Sequence, residues 1–120
     1  IFQRHEKHKL AISNAVKALN LKLFADERHL SPSITAIKTE EIDAEEFRKT
    51  IKNNFDILLA GGQDHLKGKI FRVGHLGYIN DRDIITVISA ISNTLLGLGK
   101  ITTREAGEAI VVASRYLDAD

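Results

Sequence analysis

LLAGGQDHLKGKIFRVGHLG, residues 58–77, is the stretch from which the fold can be read. Together with Ile57, its first three residues form a short, wholly apolar run. Such a run, bounded by turn signals, reads as a buried strand over residues 57–60. Gly61 and Gly62 break it. Residues 69–76 read as a second strand. Successive side chains alternate across a strand, so Lys69, Phe71 and Val73 point one way and Ile70, Arg72 and Gly74 the other. Gly74 and Gly77 suggest a bulge or a close backbone approach near its end.

Arg72 sits in mid-strand between Phe71 and Val73. An unpaired guanidinium is costly to bury. Its planar fork can hold a carboxylate through two parallel hydrogen bonds. At this point two readings stand side by side. One is a structural ion pair or a snorkelling edge residue. The other is a carboxylate-binding site.

Upstream, residues 1–20 read as a helix. Ile12, Val16 and Leu19 recur at i, i+4 and i+7, padded by Ala11, Ala15 and Ala18. Arg4, His5, Lys7, His8 and Lys9 mark its first half as a solvated surface. Asn20 tolerates the left-handed conformation that ends a helix. Leu21 and Leu23 alternate with Lys22 as a short strand. Residues 25–32 form a polar connection, in which Pro32 pushes Ser31 toward extended backbone. Residues 33–38, rich in Ile and Thr, read as another strand. Asp43 and Glu46 have the spacing of a capping box, and Phe47, Ile51 and Phe55 continue an apolar stripe from it.

Downstream, Asn80 or Asp81 caps a helix striped by Ile84, Ile88, Ile91 and Leu95 and ended by Gly97 and Gly99. Thr102 and Glu105 form another capping box. The last helix carries Ala106, Ile110, Ala113 and Leu117 in register. The order is helix, strand, strand, helix, strand, strand, helix, helix. It predicts an α/β sandwich: a small, mostly antiparallel sheet with helices packed on one face. The other face is then left for a partner. Neither an internal repeat nor a domain boundary interrupts residues 1–120.

Bulk properties narrow the classes of function. The chain has 120 residues, of which 43% are hydrophobic and 28% charged, an ordinary globular balance. A net charge of +1 gives no footprint for nucleic acid or an anionic membrane. The basic run from Arg4 to Lys9 is interrupted by Glu6 and lacks interleaved aromatics, so it makes a poor nucleic-acid site. Without cysteine the chain has no disulfide, thiolate metal ligand or thiol nucleophile, which fits a reducing cytoplasm. No apolar stretch approaches the roughly 20 residues of a membrane span. Residues 1–9 are polar and of mixed charge, unlike a secretory signal. Methionine is absent and the chain opens inside a helical pattern, so a piece of a longer chain is expected.

The segment GKIFRVGHLG, with the glycine-rich loop before it, resembles the part of class V aminotransferases in which an arginine binds the substrate α-carboxylate. HKLAISNAVKALNLKLFADERHLSPSITAIKT is similar to the start of the C-terminal small domain of those enzymes, and IDAEEFRKTIKNNFDILLAGG to the helix and strand that follow. The resemblance spans residues 1–98 and points to the alanine–glyoxylate and serine–glyoxylate branch. Some relatives there carry the label soluble hydrogenase small subunit, although no metal-ligand pattern here supports hydrogenase chemistry.

The resemblance implies a single domain over residues 1–120 of a larger pyridoxal-phosphate-dependent enzyme, whose cofactor-binding large domain is absent. That enzyme would transfer an amino group between alanine or serine and a keto acid such as glyoxylate. It implies that Arg72 anchors the substrate carboxylate. The Schiff-base lysine, the pyridine-nitrogen aspartate and most phosphate contacts would lie in the large domain. The fragment alone is therefore expected to be inactive and to hold no catalytic, cofactor-binding or metal-ligating residue. A cytoplasmic homodimer is implied for the complete enzyme.

His75 matches the Arg-x-Gly-His pattern but reads as structural at a strand end. Lys67, Lys69 and His65 read as solvated, and His5, His8 and His29 lack the spacing of a metal site. Gly61, Gly62 and Gly68 do not make a phosphate loop, since no Gly-Lys-Ser/Thr ending follows. Residues 100–120 depart from many relatives, which end sooner. The competing reading is a stand-alone α/β module that binds a ligand or protein through its sheet face.

Overall fold

The structure, a computed structural model, describes residues 2–24, 34–74 and 80–118, with backbone alone for residues 2–5. Amphipathic runs become α1 (Phe2–Ala18), α2 (Ala44–Phe55), α3 (Asp81–Gly97) and α4 (Thr103–Leu117). Short extended segments become β1 (Lys22–Leu23), β2 (Ile34–Lys38), β3 (Ala60–Gly61) and β4 (Ile70–Gly74). The strands form one sheet in the order β1-β2-β4-β3, with every neighbouring pair antiparallel. The α/β architecture and element order expected from sequence are therefore those observed.

Pairing of β2 with β4 sorts side chains between two faces. Thr35 lies opposite Val73, and Ile37 opposite Phe71. All four are buried, as residues on a helix-covered face should be. α1 and α2 contact the sheet, α3 packs on both, and α4 lies along α1 and α3. The core joins Ala11, Ile12, Ala15 and Val16 of α1 to Ile84, Ile88, Ile91 and Leu95 of α3. Ala109 and Ala113 of α4 face this cluster with side chains short enough for close helix approach. The rings of Phe47 and Phe71 meet at 5.2 Å, tilted by 31°, and join α2 to β4.

Among the described residues, no helix covers the opposite face of the sheet. Lys38, Ala60 and Gly74 are exposed, Ala36 and Arg72 half-buried, and Ile34 is 37% exposed. Ile70 is the exception and is buried beside the turn at Gly62.

Local chemistry sets the ends of the elements. Asn80 and Asp83 form a reciprocal capping box for α3, and Thr102 and Glu105 another for α4. Asn20 ends α1 in the left-handed region, at φ 64°. Its amide also donates to Glu105 and ties this turn to α4.

Four sequence expectations are corrected. Asp43 caps α2 by accepting from the Glu45 backbone, but Glu46 does not reach back. The first-turn acid that finds a partner is Glu45, which accepts from Arg48 Nη1 at 2.7 Å. Residues 57–60 are not a buried strand: Leu58 is 79% exposed, only Leu59 is fully buried, and the ladder is confined to Ala60–Gly61. Here the Arg48 side chain takes the Leu59 carbonyl at 2.8 Å, in place of a neighbouring strand. Phe55, in the last turn of α2, projects beyond the core and is 41% exposed. Finally, the first half of α1 is not wholly solvated, because His8 is buried at 1% exposure.

His8 Nε2 lies 2.9 Å from Asp81 Oδ1, and Lys7 Nζ lies 3.2 Å from Asp81 Oδ2. Asp81 opens α3, so this cluster fastens α1 to the start of α3 where an acid also suits the helix dipole. Partial burial alone would raise the Asp81 pKa. Hydrogen bonds from His8 and Lys7, with their charges, outweigh it and hold the carboxyl below its ordinary value.

Two outcomes are expected. Truncating Phe71 to Ala should cost about 3–5 kcal/mol in urea unfolding, as large-to-small changes do in well-packed cores. The depressed Asp81 pKa contributes stability that is present above the unfolded value of about 3.9 and is lost as pH falls through the folded one. Asp81→Asn should therefore lower stability at neutral pH and flatten the acid limb of the unfolding midpoint against pH.

Candidate functional site

Arg72 reaches the helix-free face because Phe71 and Val73, its neighbours along β4, turn inward. Its cross-strand partners are Ala36 on β2 and Ala60 on β3. Each of these presents only a methyl group beside the half-buried Arg72. Its Nε donates to the Gly61 carbonyl at 3.0 Å. This bond fixes the root of the fork and leaves both Nη nitrogens unused among the described residues. No carboxylate there pairs with Arg72, so the structural ion pair that sequence allowed is not formed among them.

Arg48 shows the contrast. Its Nε donates to Leu59 and its Nη1 to Glu45, so this cation is neutralised within the fold. The Glu45–Arg48 pair lies directly against Gly61. A Cβ on Gly61 would stand 2.6 Å from Glu45 Oε2 and 2.9 Å from Arg48 Nη1. Glu45 and Arg48 thus pack against the backbone whose carbonyl holds Arg72. This support was not anticipated from sequence, although the i, i+3 spacing of Glu45 and Arg48 was a readable signal. Gly62 is tighter still: its Cβ would meet the Leu66 carbonyl oxygen at 2.4 Å and Ile70 Cγ1 at 2.8 Å.

The other nominated residues disperse. Lys67, Lys69 and His65 are exposed, as expected. His8 is bound to Asp81, far from any cluster of ligands. His75 and His29 lie outside the described residues, as does the side chain of His5. Among the described residues no three His, Cys, Asp or Glu side chains come together as a metal site. None of the described helices is long and apolar enough to cross a membrane. A cavity of about 250 Å³ lies at one end of the sheet, where Lys22, Lys38 and Lys100 meet Glu40 and Glu41 above Leu95. It holds neither Arg72 nor Gly61.

What this face can do is bind an anion. A fixed arginine root, two terminal nitrogens unused among the described residues and small flanking residues suit a planar, doubly accepting group.

No family model matches the chain. It is 50% identical over 117 residues to the soluble hydrogenase small subunit of Synechococcus sp. (strain PCC 6716), covering 98% of this chain and 30% of that protein. It is 31% identical to a serine–glyoxylate aminotransferase of Methylorubrum extorquens, over 98% of this chain and 29% of that one. Among solved structures, the ureidoglycine–glyoxylate aminotransferase of Bacillus subtilis superposes with a TM-score of 0.81 at 29% identity, over 93% of this chain and 30% of that one. The chain thus spans about 30% of the length of the curated relatives it matches.

The two adjacent glycines should differ on substitution. Gly62→Ala drives a methyl into backbone and should cost roughly 1–3 kcal/mol, in the range of overpacked sites. Gly61→Ala meets only the ends of two long side chains and should cost less. Thermal unfolding of the two variants side by side checks the order.

Proposed function

We propose that this chain, which is similar along its length to the C-terminal small domain of class V aminotransferases, provides the substrate-carboxylate contact of such an enzyme. The observation that carries the reading is the Arg72 fork, rooted on Gly61 and without an acidic partner among the described residues. The complete enzyme would move an amino group between alanine or serine and a keto acid such as glyoxylate. It would act as a cytoplasmic homodimer, with residues 1–120 as one domain and a large domain of the same chain facing the open side of the sheet.

Arg72 has one task in this scheme. Its two Nη nitrogens donate to the two oxygens of the amino acid's α-carboxylate, and the Nε–Gly61 bond prevents the fork from rotating. Fixing the carboxylate fixes the direction of the α-amino group, which converts binding energy into orientation. In this scheme no described residue of the chain is given a proton to move. Every described lysine is at least partly exposed, and the residues opposite Arg72 in the sheet are Ala36 and Ala60, neither of which can form a Schiff base. The described residues therefore do not fit pyridoxal phosphate, and its place would be the large domain, where it supplies the electron sink.

The test uses the complete protein made from the full reading frame. A yellow cofactor band should bleach with L-alanine or L-serine and return with glyoxylate. Arg72→Ala should raise KM for the amino acid about 100-fold, the scale of a lost charge-assisted pair. A protein that cannot be loaded with pyridoxal phosphate would sink the reading and favour a stand-alone binding module. An unchanged KM in Arg72→Ala would remove the carboxylate role alone.

A further inference from the structure

Arg72 can aim a carboxylate only as firmly as its own root is held. That root is the Gly61 carbonyl, which accepts from Arg72 Nε. Gly61 belongs to β3, an edge strand of two residues. Its ladder is limited to Ala60 opposite Arg72 and Gly61 opposite Phe71. So short a ladder fixes a carbonyl weakly, because sparsely bonded backbone at an element's end opens most readily. The chain before it is no firmer at Leu58, whose side chain faces solvent. Contacts from outside the ladder must hold this segment.

One such contact follows Gly61: Gly62 is wedged against the Leu66 carbonyl. The other precedes it and comes from α2. Arg48 Nε donates to the Leu59 carbonyl at 2.8 Å, two residues before Gly61. The same guanidinium donates through Nη1 to Glu45 Oε1 at 2.7 Å. Glu45 Oε2 is buried and has no hydrogen-bond partner among the described residues. That oxygen and Arg48 Nη1 fill the space into which a Gly61 Cβ would project. Arg48 therefore grips the segment twice, by a hydrogen bond at Leu59 and by contact at Gly61.

The register shows from which side. Cross-strand partners point to the same face, so a Gly61 side chain would point with Phe71 toward the helices. Ala60 points with Arg72 to the other face. Arg48 and Glu45 thus stand behind β3, with the Arg72 fork in front of it.

This pair also differs from the ones on open helix surfaces. The Arg48 and Glu45 side chains are 26% and 29% exposed, against 88% and 56% for Arg104 and Glu108. A planar guanidinium with two acceptors, partly enclosed, keeps one geometry. Without Arg48, Glu45 would be an unpaired carboxylate with a buried oxygen against Gly61. Moving toward water relieves such a charge. The surface on which Gly61 rests would then withdraw.

We infer that Arg48 is a positioning residue for Arg72. It fixes residues 59–61 from behind, and so fixes the direction in which Arg72 presents its fork. This role rests on the carboxylate-binding reading of Arg72, and adds to it a residue that acts without touching the substrate.

The experiment is a double-mutant cycle in the complete, cofactor-loaded enzyme, reading kcat/KM for L-alanine with glyoxylate. Arg48→Ala should lower it about tenfold, since a misplacement of about 1 Å set far from the chemistry can cost about 100-fold. Adding Arg48→Ala to Arg72→Ala should lower it by less than about threefold more, because two residues that act through one contact are not additive. A merely structural defect would lower it equally in either background, so a further loss of about threefold or more overturns the inference. So does an Arg48→Ala enzyme that stays within about threefold of the unaltered one. Should Arg48→Ala fail to fold, Arg48→Lys takes its place under the same limits: it keeps the charge, but one ammonium cannot reproduce the fork's two directed contacts. An Arg72→Ala enzyme that keeps full kcat/KM, or a protein without the cofactor band, instead strikes the underlying reading and takes this role with it.

Discussion

Phe71 and Val73 reach the helices only because β4 pairs with β2 in one register. Side chains alternate along a strand, so a slip of one residue would exchange the two faces completely. Ile70, Arg72 and Gly74 would then meet α1 and α2, and a guanidinium would enter a layer that now holds Phe47, Ile37 and Ile51. That is costly enough to exclude the alternative. The same constraint that forms the core therefore places Arg72 outside it. Packing and site are two faces of one ladder.

Electrostatics on this molecule divide into two kinds. Pairs such as Lys52–Asp56 and Arg104–Glu108 lie one helical turn apart on exposed faces and contribute little each. The Arg48–Glu45 pair lies closer in, and its guanidinium also satisfies a backbone carbonyl that no strand reaches. Arg48 thus completes the backbone hydrogen bonding of the turn into β3, and Gly61 then offers its own carbonyl to Arg72. Arg48 is thus used up in structure, whereas Arg72 meets no acid among the described residues.

Elements governed by near neighbours were legible in the sequence. The boxes at Asn80 and Thr102, the left-handed Asn20 and the stripe from Ile84 to Leu95 each depend on residues a few positions apart. The resemblance through the Arg-Val-Gly segment also pointed to the right kind of fold. Failures arose where the deciding partner was distant or was a side chain. His8 is buried because Asp81, 73 positions away, receives it. Leu58 is exposed because β3 does not begin until Ala60. Arg72 could be read from the strand pattern, but that no acid among the described residues pairs with it could not.

The outer strands of the sheet are only two residues long. A sheet edge is a row of unsatisfied donors and acceptors that can recruit a strand from another molecule. Here β1 and β3 shield the longer central pair while offering almost no ladder of their own. An encounter through either rim could gain one or two hydrogen bonds before the template ran out. A face that no described helix covers is therefore bordered by rims too short to seed strand-by-strand growth.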